Sequence, residues 1–198
     1  MTIPTRERLI ESAIRRFYRD GFRSVGIDQI LTDVGISKTA FYKHFDSKED
    51  LMLAALDKQH QWLLETFRAM ICERGGPTPL GRLHAVFDVV ERLIESEGFQ
   101  GCIFVNAAME FPLPHEPAHV AAAENKQAIE GILCQLAQDA GAADPVGLAR
   151  ELCLVIEGTY ITRQVSGDSR TIEIARRIAR LLIENQCPAV AGTVPLPA

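Results

Sequence analysis

A chain of 198 residues, 47% hydrophobic and 24% charged, can bury a sizeable core in one or two domains and reads as soluble and globular. No apolar run approaches the ~18 residues of a membrane span, and the N-terminus lacks a signal-peptide pattern. Five cysteines without a CxxC pair argue against a disulfide framework and for a reducing cytoplasm. The net charge of −5 speaks against nucleic acid until its distribution is considered. Residues 1–48 hold nine Lys/Arg against six Asp/Glu, hence +3; the remainder holds twelve against twenty, hence −8.

In chain order, Thr5 to Asp20 carries the apolar stripe Leu9, Ile10, Ala13, Ile14 and Phe17 of a helix. Gly21 stops it and Phe22 is placed to fold back on Phe17, as in a Schellman ending. From Ile27 to Lys48 two short helices are joined by a tight turn. A helix ending at Val34 leaves through Gly35, which has no Cβ penalty in the left-handed region. Ser37 then caps a helix starting at Lys38, and Ile36 and Phe41 stand at hydrophobic-staple spacing. Phe41 and Phe45 share one face; Lys38, Thr39, Tyr42 and Lys43 lie on the others. Periodicity alone would suit an ordinary core helix. The glycine turn, serine cap and polar outer face together point to a helix-turn-helix whose recognition helix is Lys38 to Phe45.

Ser47 with Asp50 is close to a capping box and opens a helix from Lys48 to about Glu73. Thr78 before Pro79 opens the next, to about Glu97. Gly101 to Phe111 reads as a short apolar helix, Pro117 to Ala140 as another. Asp144-Pro145 caps a helix to about Val165, and a last helix ends near Cys187. The tail 188–198 has no helical pattern and is expected to be mobile. No segment reads as a strand, so the fold class is all-α.

Two constellations could carry chemistry. His115-Glu116-Pro117-Ala118-His119 is a literal HExxH, but Pro117 disfavours helix at Glu116, so the two imidazoles do not share a regular turn, and a third ligand is not evident. No catalytic residue, metal or cofactor is assigned. Cys102, Asn106 and Glu110 form a polar stripe on an otherwise apolar helix: contacts in a ligand pocket, or braces to neighbouring elements. Cys102 is either a reactive thiol or a small buried hydrophobe. Trp62, His84, Phe87, Met109 and Tyr160 are further ligand candidates. In the last helix Ile172, Ala175, Ala179 and Leu182 mark one face and Ile174, Ile178 and Leu181 an adjacent one. So wide an apolar arc needs partners on two sides, either its own core and a symmetry mate or a central place in its own domain.

The stretch ISKTAFYKHFDSKEDL resembles the signature of the TetR (tetracycline repressor) family of bacterial transcriptional regulators. The Gly-Ile-Ser turn, the Phe-Tyr-x-His-Phe helix end and the Ser-Lys-Glu-x-Leu start match, and the likeness covers roughly Leu9 to Leu56. A departure is the start of the second helix, where Gly26 and Ile27 replace the usual capping hydroxyl, leaving a weak cap or one supplied by Ser24 through a shifted start. GCIFVNAAME is similar to a subgroup some of whose members respond to drug-like or flavonoid-like compounds.

The resemblance implies a homodimeric, ligand-responsive repressor of a palindromic operator, not an enzyme, with residues 1–46 binding DNA and 47–187 binding a small apolar or aromatic effector and dimerising. It implies base-edge contacts from Lys38 and Thr39, and Ala40 where many relatives carry a hydroxyl. Ser37 and Lys43 complete the DNA-facing set, with phosphate contacts from Tyr42 and Lys48. A dimer interface of the last two helices would include Leu152, Ile156, Ile174, Ile178, Leu181 and Leu182. The other readings are a zinc hydrolase through His115, Glu116 and His119, and a helical protein–protein interaction module.

Overall fold

Capping chemistry sets most of the element boundaries in the computed structural model, which describes residues 3–187; the tail 188–198 lies outside the described residues. Nine helices and no strands occur among them: α1 Thr5–Asp20, α2 Ile27–Val34, α3 Lys38–Phe41, α4 Lys48–Gly75, α5 Pro79–Ile94, α6 Ile103–Glu110, α7 Pro117–Asp139, α8 Pro145–Ser166 and α9 Thr171–Gln186. Side chains of Ser37, Thr78 and Asp144 accept from the backbone N–H groups of Ala40, Gly81 and Gly147, so each satisfies one donor that a helix start leaves orphaned. At α4 the Ser47 hydroxyl takes the Asp50 N–H at 3.0 Å, while the Asp50 carboxylate takes that of Asp46 at 3.1 Å. At α2 neither Ser24 nor any other side chain caps the N-terminus; instead Gln29 Oε1 reaches back to accept from Gly26 N–H at 2.8 Å.

Packing divides the chain into two compact units: Met1–Phe67 with Ser96–Ile129, and Arg68–Glu95 with Glu130–Ala198. In the first, α1 and α2 enclose Leu9, Ile10, Phe17, Ile30, Leu31 and Val34 around Phe41 and Phe45. That core continues into Leu51 and Leu56 of α4, Phe104 and Ala107 of α6, and Ala118 and Ala122 of α7. In the second unit α9 packs on α5 and α8, and Arg176 of α9 is bound to Asp88 at 2.6 Å and Glu91 at 2.7 Å on α5.

Polar ties orient the first three helices. Arg16 of α1 clasps Asp33 of α2 through two nitrogens, at 2.6 and 2.7 Å, and Ser12 adds a third bond at 3.0 Å. The Arg16 guanidinium holds the Asp33 carboxyl down at about 2. A depressed carboxyl contributes stability above its unfolded pKa and loses it as pH falls through the folded value. Asp33→Asn is therefore expected to melt below wild type at pH 7, with the gap closing as the pH is lowered to about 2. Melting curves at the two pH values check this.

Candidate nucleic-acid interface

The turn before α3 forms as its residues dictate. Gly35 takes φ 72° and ψ 40°, and its N–H and that of Ile36 both return to the Leu31 carbonyl, at 2.8 and 3.2 Å. Regular helix then lasts only from Lys38 to Phe41. The sequence pattern runs to Phe45, but the following turn tightens, with His44 N–H bonded to Phe41 O at 2.8 Å. Phe41 and Phe45 are buried, their rings tilted against each other with centroids 5.8 Å apart, whereas Ser37, Lys38, Thr39, Tyr42 and Lys43 are exposed and Ala40 half-buried. The Tyr42 ring leans edge-on against Phe41 at 5.2 Å and leaves half its surface in solvent. One side of α3 is thus anchored, and the other presents an ammonium pair, a threonine hydroxyl and a phenol. Arg6 of α1, missed in the sequence, lies over the Phe45 ring at 5.0 Å and adds a cation beside α3. A basic residue in the first turn of α1 was its only signal.

Lys48 is placed differently from the other cations. Its ammonium donates to the Phe22 carbonyl at 2.6 Å and to that of Arg23 at 3.4 Å, and burial pulls its pKa down. From the other side, the Glu110 carboxylate accepts the N–H groups of the same two residues, at 2.8 and 2.7 Å. The α1–α2 turn is therefore gripped by a lysine on its carbonyls and a glutamate on its amides. Gly21 permits it: φ 85° with ψ 156° is not the left-handed Schellman geometry, and an added Cβ would come within 3.0 Å of Glu110 Oε1. Phe22 still folds back on Phe17, 5.1 Å away. Lys48 thus holds the turn with the charge expected at a phosphate, because two carbonyls lie within its reach.

The polar stripe of α6 resolves into braces at two of its three positions. Glu110 holds the turn just described, and Asn106 Nδ2 donates to the Gln100 carbonyl at 3.1 Å. Cys102 is half-buried with Lys126 Nζ 3.3 Å from its sulfur. The remaining ligand candidates fall in different places. Met109 is 77% exposed and Trp62 48%, both in the first unit. His84 and Phe87 belong to the second unit, where they line a cavity of about 520 Å³ with Asp88, Arg176, Arg180 and Glu184 of α5 and α9. Partial burial, then Arg180, push the His84 imidazole down. Tyr160 of α8 is half-buried in that unit. Two residues of the first unit that sequence reasoning passed over, His60 and Asn125, are paired at 3.0 Å, with the His60 ring edge-on to Phe104. An asparagine on the apolar face that runs through Ala118 and Ala122 was the available signal.

On α8 and α9 the expected interface residues separate. Ile174, Ile178 and Leu181 are exposed. Leu152 and Ile156 are 0% and 4% exposed, so they fill the chain's own core and cannot present a surface; Leu182 is half-buried. The outward face of α8 is instead Leu154, Ile161 and Val165, which recur at helical spacing.

HExxH is consumed structurally. Pro117 opens α7, leaving His115 ahead of the helix; Glu116 accepts the Leu113 N–H at 2.9 Å, and His119 Nδ1 lies 2.9 Å from the Phe111 carbonyl. No trio of residues able to hold a metal occurs among the described residues.

Residues 9–55 match the family described as bacterial regulatory proteins, tetR family, and residues 79–179 match the tetracyclin repressor-like C-terminal domain. The chain belongs to the TetR family. Among solved structures, SCO4454, a TetR-family transcriptional regulator from Streptomyces coelicolor, superposes with a TM-score of 0.87 at 29% identity, covering 92% of this chain and 90% of that one. The HTH-type transcriptional regulator YjdC of Escherichia coli (strain K12) is 21% identical over 88% of this chain and 91% of its own length. The likeness to the uncharacterized HTH-type transcriptional regulator YerO of Bacillus subtilis (strain 168) is 48% over 52 residues, 26% of this chain and only 18% of that protein. TetR-family regulators bind DNA and dimerise, so this chain is a DNA-binding transcriptional regulator and not an enzyme; neither the hydrolase nor the interaction-module reading is supported. No described helix is long and apolar enough to cross a membrane.

Proposed function

We propose that this TetR-family chain is a homodimeric repressor, working in the cytoplasm, that leaves a palindromic operator when a small apolar or aromatic effector binds. The observation that carries the reading is the sorting of α3 into a buried aromatic side and an exposed side of Ser37, Lys38, Thr39, Tyr42 and Lys43. Lys38 and Thr39 read base edges, Ala40 offers apolar contact, and Tyr42 and Lys43 hold phosphates. Residues 1–46 do the reading, and residues 47–187 receive the effector and the partner subunit. The exposed apolar side chains Leu154, Ile161 and Val165 of α8 and Ile174, Ile178 and Leu181 of α9 support assembly with a second copy, because several large apolar groups on two packed helices are seldom all left in water. Repression needs nothing beyond occupancy, since a bound dimer occludes the promoter. The effector acts only through its differential affinity for the DNA-competent and DNA-incompetent shapes, and operator must weaken effector binding by the same factor.

The experiment is selection of an operator from random duplexes, followed by Lys38→Ala and Thr39→Ala. Each substitution is expected to cost roughly 1–3 kcal/mol on the selected site and to relax preference at the base it reads. Tyr42→Phe should weaken operator and random DNA alike. Equal losses on both DNAs for Lys38→Ala and Thr39→Ala would remove the base-reading assignment.

A further inference from the structure

Asn125 is fully buried, and its amide is only half satisfied. Nδ2 lies 3.0 Å from His60 Nδ1, while Oδ1 has no partner. Native proteins almost always supply a partner to a buried acceptor, because leaving it dry forfeits its hydration without return. The residue stands on an apolar face of α7, with Ala122 one turn before it and Ile129 one turn after. Across from it are α4, which carries His60, and α6, whose Phe104 meets the His60 ring edge-on with centroids 6.4 Å apart. His60 is half-buried and Asn125 lies fully inside, so the imidazole is the more accessible member of the pair.

We propose that the effector is a neutral molecule with an apolar body and an O–H or N–H donor, and that Asn125 Oδ1 receives that donor. The inference rests on the effector-responsive reading above and adds what the effector must carry. With the amide nitrogen facing His60 Nδ1, the group of the pair left without a partner is the Asn125 acceptor. A carboxylate would bring acceptor to acceptor. An ammonium would leave a charge uncompensated against Phe104 and the alanines of α6 and α7. A neutral hydroxyl or amide avoids both costs, and its apolar body packs against Phe104 and the His60 ring.

The test uses the full-length protein and two probes, 2-naphthol and 2-methoxynaphthalene, which share a ring system and differ in the donor. Calorimetric titration of the wild type should favour 2-naphthol by roughly tenfold or more. In Asn125→Leu, which keeps the branched heavy-atom skeleton but lacks the acceptor, the preference should shrink to about threefold or less. Equal affinity for the two probes, no binding of 2-naphthol at millimolar concentration, or an undiminished preference in Asn125→Leu overturns the proposal and leaves a resident water as the partner of Oδ1. If Asn125→Leu fails to fold, the wild-type probe pair decides alone. Operator binding without ligand is measured in parallel. Its absence counts against the repressor reading, whereas ligand discrimination stands or falls without DNA present.

Discussion

Leu154→Glu combined with Leu181→Glu should give a folded monomer that no longer holds an operator. Both side chains project from the chain, 73% and 62% exposed, so neither substitution disturbs the packing of α8 and α9 within one protomer. In a dimer that covers this face, the pair would place four carboxylates in an apolar interface, without partners to offset their desolvation. Each protomer would then meet its half-site alone and lose the gain of tethered binding, so operator affinity should fall on the order of 10²–10⁴-fold. Sedimentation reads the mass, circular dichroism the fold and fluorescence anisotropy the affinity. Leu152→Glu provides the contrast: that side chain is fully buried, and a charge there should unfold the protein. A double variant that still sediments as a dimer at micromolar concentration would place the interface elsewhere.

Removing either jaw of the clamp on the α1–α2 turn should loosen the first unit markedly. Glu110→Ala leaves the Phe22 and Arg23 amides without the carboxylate they bind at 2.8 and 2.7 Å, and Lys48→Ala frees their carbonyls. Hydrogen bonds to charged groups are worth about 1.5–3 kcal/mol, and each single variant should lose roughly that in a denaturation curve. Because both jaws grip the same two residues, the double variant should lose less than the sum. DNA binding separates this role from a phosphate contact. Lys43→Ala should reduce the slope of log affinity against log salt by about one, and Lys48→Ala should leave the slope unchanged while lowering the melting temperature. A reduced slope with unaltered stability in Lys48→Ala would return that lysine to the DNA backbone.

The helix-turn-helix was legible because its determinants are local. Gly35 needs no neighbour to enter the left-handed region, Ser37 caps a helix three residues away, and the burial of Phe41 and Phe45 follows from their spacing. The starts of α5, α7 and α8 were readable for the same reason, each having proline at its first position. All-α content, the absence of strand patterning and the outward faces of Ile174, Ile178 and Leu181 were likewise written in periodicity.

What only the tertiary structure decided involves partners distant in sequence. A stripe of Cys102, Asn106 and Glu110 looks the same whether it faces a ligand or a backbone turn. That Glu110 meets residues 22 and 23 depends on how α6 packs in the first unit. The charge of Lys48 is visible in the sequence, but the carbonyls of Phe22 and Arg23 that its ammonium meets are not. Leu152 and Ile156 share α8 with Leu154 and Ile161, and their inward direction emerges only once α9 and α5 have packed against that helix. Asn125 stands in the sequence on the apolar face of Ala118 and Ala122, but only the packed fold shows that its amide oxygen is buried without a partner. Local backbone geometry and hydrophobic period are properties of neighbours in the chain, whereas a side chain's bonding partner is a property of the packed fold.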